Sequence, residues 1–304
     1  MDESVFERDG ERFIPTAHAR GPWSPEALHG GAPAALFTQA FERIEPGSEL
    51  RMARIGVEYL RPLTFAPMEL STRIVRPGRR VQELAGELHA GGELICRASA
   101  LRVSPVPEGL PAPPPAAAPN LQPGADTGAA TEAPQPATHT GAAAEASESP
   151  TGALGLAPWP ARELPPPEAA QPAKFGLNRS DETSFAATVM EMRWFGDPYT
   201  LGPGCVWMRM RMPLIAGEPL TPLTRLAAVA DFGNGASAAL PFDGFLFINA
   251  DLTIHLTRPP RGEWIGLDAR TELTAGGSGL SESVLHDEHG PVGRAFQTLV
   301  VQRR

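Results

Sequence analysis

Apolar and polar residues alternate cleanly over one stretch near the C-terminus. Ile248, Ala250, Leu252, Ile254 and Leu256 interleave with Asn249, Asp251, Thr253, His255 and Thr257. That period of two is what a half-buried strand requires. Ile55, Val57 and Tyr59 repeat the pattern earlier in the chain. Further strands are predicted at 68–75, 81–89 and 94–103, and again at 264–273, 279–286 and 292–302. His89-Ala-Gly-Gly and Asp287-Glu-His-Gly290 read as hairpin turns between them. Each set of strands follows a helix candidate, Pro33 to Ile44 in one case and Pro222 to about Leu240 in the other. Pro in a first turn and Pro46-Gly47 as a stop fit helix punctuation. Ala35, Leu36 and Phe41 are the expected buried positions of the first helix. A helix followed by antiparallel strands, with no strand–helix–strand alternation, predicts an α+β fold rather than a doubly wound one.

The two helix-and-strand sets are related. Leu60-Arg61-Pro62 matches Thr257-Arg258-Pro259, Leu88-His89 matches Leu285-His286, and Arg97-Ala98 matches Arg294-Ala295, every pair lying 197 positions apart. A shared offset across separate matches indicates one module duplicated once, not a solenoid. The predicted halves are 1–106 and 173–304. Between them, 107–172 is dominated by Pro, Ala, Gly, Thr and Glu and is short of β-branched and aromatic residues. Such a composition buries too little apolar surface to offset the entropy of ordering, so this segment is expected to be a disordered spacer.

Composition narrows the classes of function. Of 304 residues, 42% are hydrophobic and 20% charged, as in a soluble globular protein. The formal net charge of −9 is spread rather than blocked, which argues against nucleic acid as a partner. No apolar run is long enough to insert in a membrane, and the charged start carries no secretory signal. Cys96 and Cys205 are the two cysteines. They are too few for a disulfide framework or thiolate metal cluster, and a cytoplasmic setting with buried, inert thiols is expected. His286 and His289 lack the further ligands of a zinc site. No Gly-Xaa-Ser-Xaa-Gly elbow, Rossmann or P-loop pattern occurs, so no metal or other cofactor is implied.

Several motifs together resemble the TesB-like acyl-CoA thioesterases. His29-Gly30-Gly31 at a helix start, Leu60-Arg61-Pro62 at a strand end, and Arg76-Pro77-Gly78-Arg79-Arg80 look like that family's first hotdog domain. Ala230-Asp231-Phe232-Gly233-Asn234-Gly235, Asn249-Ala250-Asp251-Leu252-Thr253 and Gly293-Arg294-Ala295-Phe296-Gln297 resemble its second. The resemblance implies a double hotdog, two antiparallel sheets each wrapped around a central helix and joined into one continuous sheet. It implies hydrolysis of an acyl-CoA substrate, and self-association into a homo-oligomer is compatible with such sheets.

Carried over residue by residue, the resemblance makes Asp231 the acid and Gln297 the amide that hold the hydrolytic water. The family's hydroxyl position falls on Asn249, a departure, although an amide also offers a donor and an acceptor. Asp231 has an argument of its own, because it interrupts the apolar stretch Leu226-Ala-Ala-Val-Ala, and partial burial there suits it to general-base work on water. The plainer alternatives are a place on the helix's exposed face or bonding to the following Gly233-Asn234-Gly235 backbone. Asp251, on the polar face of its strand, reads as a structural acid. The backbone N–H groups of His29, Gly30 and Gly31 would stabilise an oxyanion, and Arg76, Arg79 and Arg80 would meet coenzyme A phosphates; turn chemistry and a solvated hairpin are the plainer alternatives. A non-hydrolytic acyl-CoA-binding protein, or a scaffold acting through its spacer, are the competing functions.

Overall fold

The computed structural model describes residues 3–105, 163–174, 183–274 and 276–304, all in one compact unit. Most of the expected spacer lies outside the described residues. The first half contains strands β1 (Phe6–Asp9) and β2 (Arg12–Pro15), helix α1 (Gly31–Arg43), and strands β3 (Arg51–Tyr59), β4 (Met68–Arg76), β5 (Val81–Ala90) and β6 (Glu93–Val103). The second begins with β7 (Gln171–Pro172), β8 (Met190–Phe195) and β9 (Gly204–Met210). Helices α2 (Pro222–Ala230) and α3 (Gly233–Ala236) follow, then β10 (Phe245–Asn249), β11 (Asp251–Leu256), β12 (Ile265–Leu273), β13 (Ser278–Asp287) and β14 (Gly290–Arg303).

These strands form one antiparallel sheet in the order β1-β2-β4-β5-β6-β3-β11-β14-β13-β12-β9-β8-β7, with β10 also on β14. Read outward from the β3–β11 join, the first six strands follow the same order on both sides, and β7 extends the second half by one. At the join Ile55 faces Ile254 and Val57 faces Leu252, all buried. The inward positions of the two alternating patterns therefore meet across the seam, and that burial makes one sheet of two halves. Strands β4, β5 and β6 recur as β12, β13 and β14 at the spacing read from the sequence. The β5–β6 hairpin turns on Gly91 and Gly92, both at positive φ (59° and 82°), which glycine adopts without steric cost.

Two expectations need correction. The second helix does not run unbroken to Leu240: it stops at Ala230 and resumes only for Gly233–Ala236. The end of the expected spacer is also folded. Gln171–Pro172 pairs with Arg193–Trp194, Trp207 donates its indole N–H to Pro165 O at 2.9 Å, and Ala170 packs with Trp207 and Trp264. The rings of Trp207 on β9 and Trp264 just before β12 are buried beneath that Pro-rich stretch, which gives it an apolar surface to cover. No helix among the described residues is long and apolar enough to cross a membrane.

Helices α1 and α2 pack together in opposite directions. The Gly31 end of α1 meets α2 near Ala228, and at the other end Glu42 accepts from the hydroxyls of Thr221 (2.7 Å) and Thr224 (3.0 Å). Thr221 also caps α2 by accepting from Thr224 N–H. Arg102 closes the C-terminus of α1 by donating to the Ile44 and Phe41 carbonyls.

The repeated Arg-Pro motif has a structural role in the second half. Arg258 makes a two-pronged pair with Asp287, both contacts at 2.6 Å, and donates to Gly290 O at 2.9 Å. Burial pushes the Asp287 carboxyl up, but Arg258 and the N–H groups of His289 and Arg261 outweigh it and hold it below its usual range. A depressed carboxyl stabilises the fold above its unfolded-state pKa of about 3.9 and loses that contribution as pH falls through the lower, folded value. Asp287→Asn is accordingly expected to cost about 2–3 kcal/mol at pH 7. Urea melts from pH 7 to pH 3 should show the gap to wild type narrowing at the acid end.

Candidate active site

The break between α2 and α3 creates the site. Asp231 closes α2 with ψ of −6°, and Phe232 follows with ψ of −2°, so the helical hydrogen-bond ladder lapses. Gln297 on β14 bridges the gap. Its Oε1 accepts from Asn234 N–H at 2.9 Å, and its Nε2 donates to Asp231 O at 3.1 Å and to Asp231 Oδ1 at 3.4 Å. A glycine at 233 is needed for this approach, since a Cβ there would stand 2.8 Å from Gln297 Oε1 and 2.6 Å from Ser283 Oγ.

Asn249 reaches the same carboxylate through an irregularity in the sheet. Between the Asn249–Leu299 and Thr253–Phe296 pairs, Ala250, Asp251 and Leu252 oppose only Gln297 and Thr298. The extra residue is a bulge, a device that re-aims side chains. Asn249 Nδ2 donates to Asp231 Oδ1 at 2.8 Å and to Asp251 O at 3.2 Å. The Asp251 carboxylate accepts from Thr298 N–H at 2.7 Å, satisfying a group the bulge takes out of the ladder and serving the fold.

The first half supplies the other partners. Tyr59, at the end of β3, places its hydroxyl 3.2 Å from Asp231 Oδ1 and 3.0 Å from Gly30 O. Burial, and then the Asp231 charge, push this phenol well above its ordinary range, so it remains a donor. His29 Nδ1 lies 3.1 Å from Asp231 Oδ2 and 3.0 Å from Gly31 N. Asp231 is only 4% exposed, and its carboxylate is surrounded by groups able to donate. Gly30 is required here: a Cβ would stand 2.7 Å from Asp231 Oδ2 and 2.9 Å from the Tyr59 hydroxyl oxygen. At Gly31 it would stand 2.5 Å from Ala228 O.

A cavity of about 990 Å³ opens beside Asp231, within the range typical of ligand sites. His29, Gly30, Tyr59, Asp231 and Asn249 all line it, with Trp23, Phe242 and Ile248 among its apolar walls. Gly31 does not line it and is a packing glycine whose N–H meets His29. Arg76, Arg79 and Arg80 do not reach the site either: they are exposed in the β4–β5 hairpin, where Pro77-Gly78 turns them to solvent. The cavity's basic residues are Arg20, Arg61 and Lys174. The structure thus brings Asp231, Asn249, Gln297, His29 and Gly30 together, and adds Tyr59, which the sequence pattern counts only as an inward strand position. No group of side chains suited to a metal ion occurs among the described residues.

Burial, and then the Asp231 charge, push the Cys96 thiol up to about 12, so it stays protonated and is a poor nucleophile. A thiol titration of the native protein at pH 7 should leave Cys96 and the buried Cys205 unmodified until denaturant is added. Gln297→Leu, which strands Asp231 O and Asn234 N–H in the interior, is expected to cost about 2–4 kcal/mol in chemical denaturation.

Comparison with known proteins fits this geometry. Residues 19–103 match the acyl-CoA thioesterase N-terminal domain family, and residues 162–301 match its C-terminal domain family. The second match includes the folded end of the expected spacer. Among solved structures, the chain is similar to a putative thioesterase from Novosphingobium aromaticivorans (TM-score 0.61, 18% identity, covering 97% of this chain and 98% of that one). A protein of unknown function with a hot dog fold from Alicyclobacillus acidocaldarius gives a TM-score of 0.61 at 16% identity, over 100% and 97% of the chains. The acyl-CoA thioesterase II TesB2 of Mycobacterium marinum gives 0.56 at 15%, over 98% and 96%. No curated protein matches the sequence.

Proposed function

Because the chain belongs to the acyl-CoA thioesterase family, we propose that it hydrolyses acyl-CoA with a water held beside Asp231, whose carboxylate is held by Asn249 and Gln297. The observation that carries this reading is the convergence of Asn249, Tyr59, Gln297 and His29 on one buried carboxylate at the wall of a large, mainly apolar cavity. The paired half-sheets, each with its own helix, are read as a double hotdog, with 1–106 and the segment from about 162 onward as its two modules.

The acyl chain occupies the apolar part of the cavity, against the contacting rings of Trp23 and Phe242. The thioester carbonyl lies at its polar end, and Arg20, Arg61 and Lys174 supply positive charge for the coenzyme A phosphates. Water attacks the carbonyl carbon, and the backbone at Gly30, which borders the cavity, stands near the developing oxyanion. Gln297 acts by position: both ends of its amide are committed to the helix break, so it fixes where the Asp231 carboxylate points. Asn249 takes the family's hydroxyl position as a donor to that carboxylate.

Release of free thiol from a panel of acyl-CoAs is the direct assay. Asp231→Asn is expected to lower kcat by about 100-fold or more, and Asn249→Ala by about tenfold through loss of one bond to a charged group. Binding of acyl-CoA with no thiol release from wild type would instead favour a non-hydrolytic binding protein.

A further inference from the structure

His29 meets Asp231 through one ring nitrogen, and the hold on the carboxylate leaves the other nitrogen unused. Its ring packs against two aromatic rings, Phe232 at 4.3 Å and Phe185 at 5.0 Å between centroids with interplanar angles of 30° and 28°, and these two also stack on each other at 6.1 Å. It is 8% exposed, and what remains open borders the cavity. Of its two nitrogens, Nδ1 is engaged by both Asp231 Oδ2 and Gly31 N–H. Nε2 makes no hydrogen bond among the described residues. Nδ1 can carry a proton and donate to the carboxylate, or be bare and accept from Gly31, but not both. A hydrogen bond to a charged acceptor is roughly twice as strong as one between neutral groups. That puts the proton on Nδ1 and leaves the Nε2 lone pair bare, on a ring held rigidly at the cavity wall.

We propose that His29 is the base that takes the proton from the attacking water, and that Asp231 orients His29 and stabilises its charged form. The proposal rests on the thioesterase reading of this site and assigns the proton within it. As the water oxygen bonds to the thioester carbon, its proton moves to Nε2 and the carbonyl π pair moves onto oxygen. Collapse of that intermediate breaks the C–S bond and sends the pair to sulfur. The coenzyme A thiolate then takes the proton from Nε2, leaving the free acid, the thiol and neutral His29. The Asp231 carboxylate faces the imidazolium throughout, and Asn249, Tyr59 and Gln297 keep it in place. The other titratable groups nearby do not compete for the proton. Tyr59 and Cys96 are both held in their protonated forms by burial and by Asp231, and the guanidinium of Arg20 borders the same cavity.

His29→Phe keeps an aromatic ring against Phe185 and Phe232 and removes the base together with its contact to Asp231. Steady-state hydrolysis of an acyl-CoA should show kcat lowered about 100-fold or more with KM little changed. The acid-side fall of kcat expected of wild type should be absent. In His29→Gly, added imidazole should restore part of the lost rate. A His29→Phe enzyme with wild-type kcat and pH profile would overturn the proposal, as would a slow His29→Gly enzyme that imidazole does not rescue. If Asp231→Asn abolishes turnover while His29→Phe does not, only the role of His29 fails. If Asp231→Asn turns over at the wild-type rate, the reading of the site itself fails.

Discussion

The buried charge of Asp231 is the constraint around which the rest is arranged. Moving a carboxylate out of water costs several kcal/mol even after the surroundings relax, so it persists only where donors are fixed in advance. The structure supplies them from widely separated parts of the sequence: Asn249 from a bulge, Gln297 from the last strand, and Tyr59 and His29 from the other half of the chain. The helix break at Asp231 and the bulge at Ala250–Leu252 depart from ideal geometry, and the glycines at 30 and 233 depart from it only in lacking a side chain. Each departure is what lets one of those donors come within reach.

Duplication of the module therefore does not mean duplication of the site. The strands repeat faithfully, because the β3–β11 seam asks the same thing of both halves: inward aliphatic residues at alternate positions. The helices diverge. α1 runs unbroken to Arg43 and is closed by Arg102, whereas α2 stops at the acid and hands its unmet backbone groups to Gln297. The first half contributes the start of α1, close enough through Gly30 and Gly31 to touch the second half's helix, and it contributes the tyrosine at its strand end.

Much of the sheet was legible in the sequence because strand periodicity is local. The spaced motifs place β4–β6 and β12–β14 within a residue or two of where they lie, whereas the alternation over Ile248–Leu256 breaks at Ala250 between β10 and β11, leaving Ile248 exposed, and β3 starts at Arg51, four residues before Ile55. The edge hairpins β1–β2 and β8–β9 were not read, although Met190, Met192 and Trp194 alternate inward; β1 is too short and too polar to carry a pattern. Asp231 was legible as a charge out of place, and Asn249 and Gln297 through the family resemblance. What could not be read is the convergence. Nothing local in Ile55-Gly-Val-Glu-Tyr59 says that the last inward residue faces another half's carboxylate, nor does His29-Gly30-Gly31 reveal that the imidazole rather than Gly31 meets it. The Arg-rich turn at 76–80 has the right composition for phosphate, but the hairpin carries it away from the cavity.

A crystal structure with an acyl-CoA analogue whose thioester sulfur is replaced by methylene would test the central claim most directly. The account predicts the carbonyl carbon within about 3–3.5 Å of a water at the polar end of the cavity, beside His29 and Asp231, with the acyl chain against Trp23 and Phe242. A carbonyl seated away from Asp231, with no ordered water between them, would contradict it.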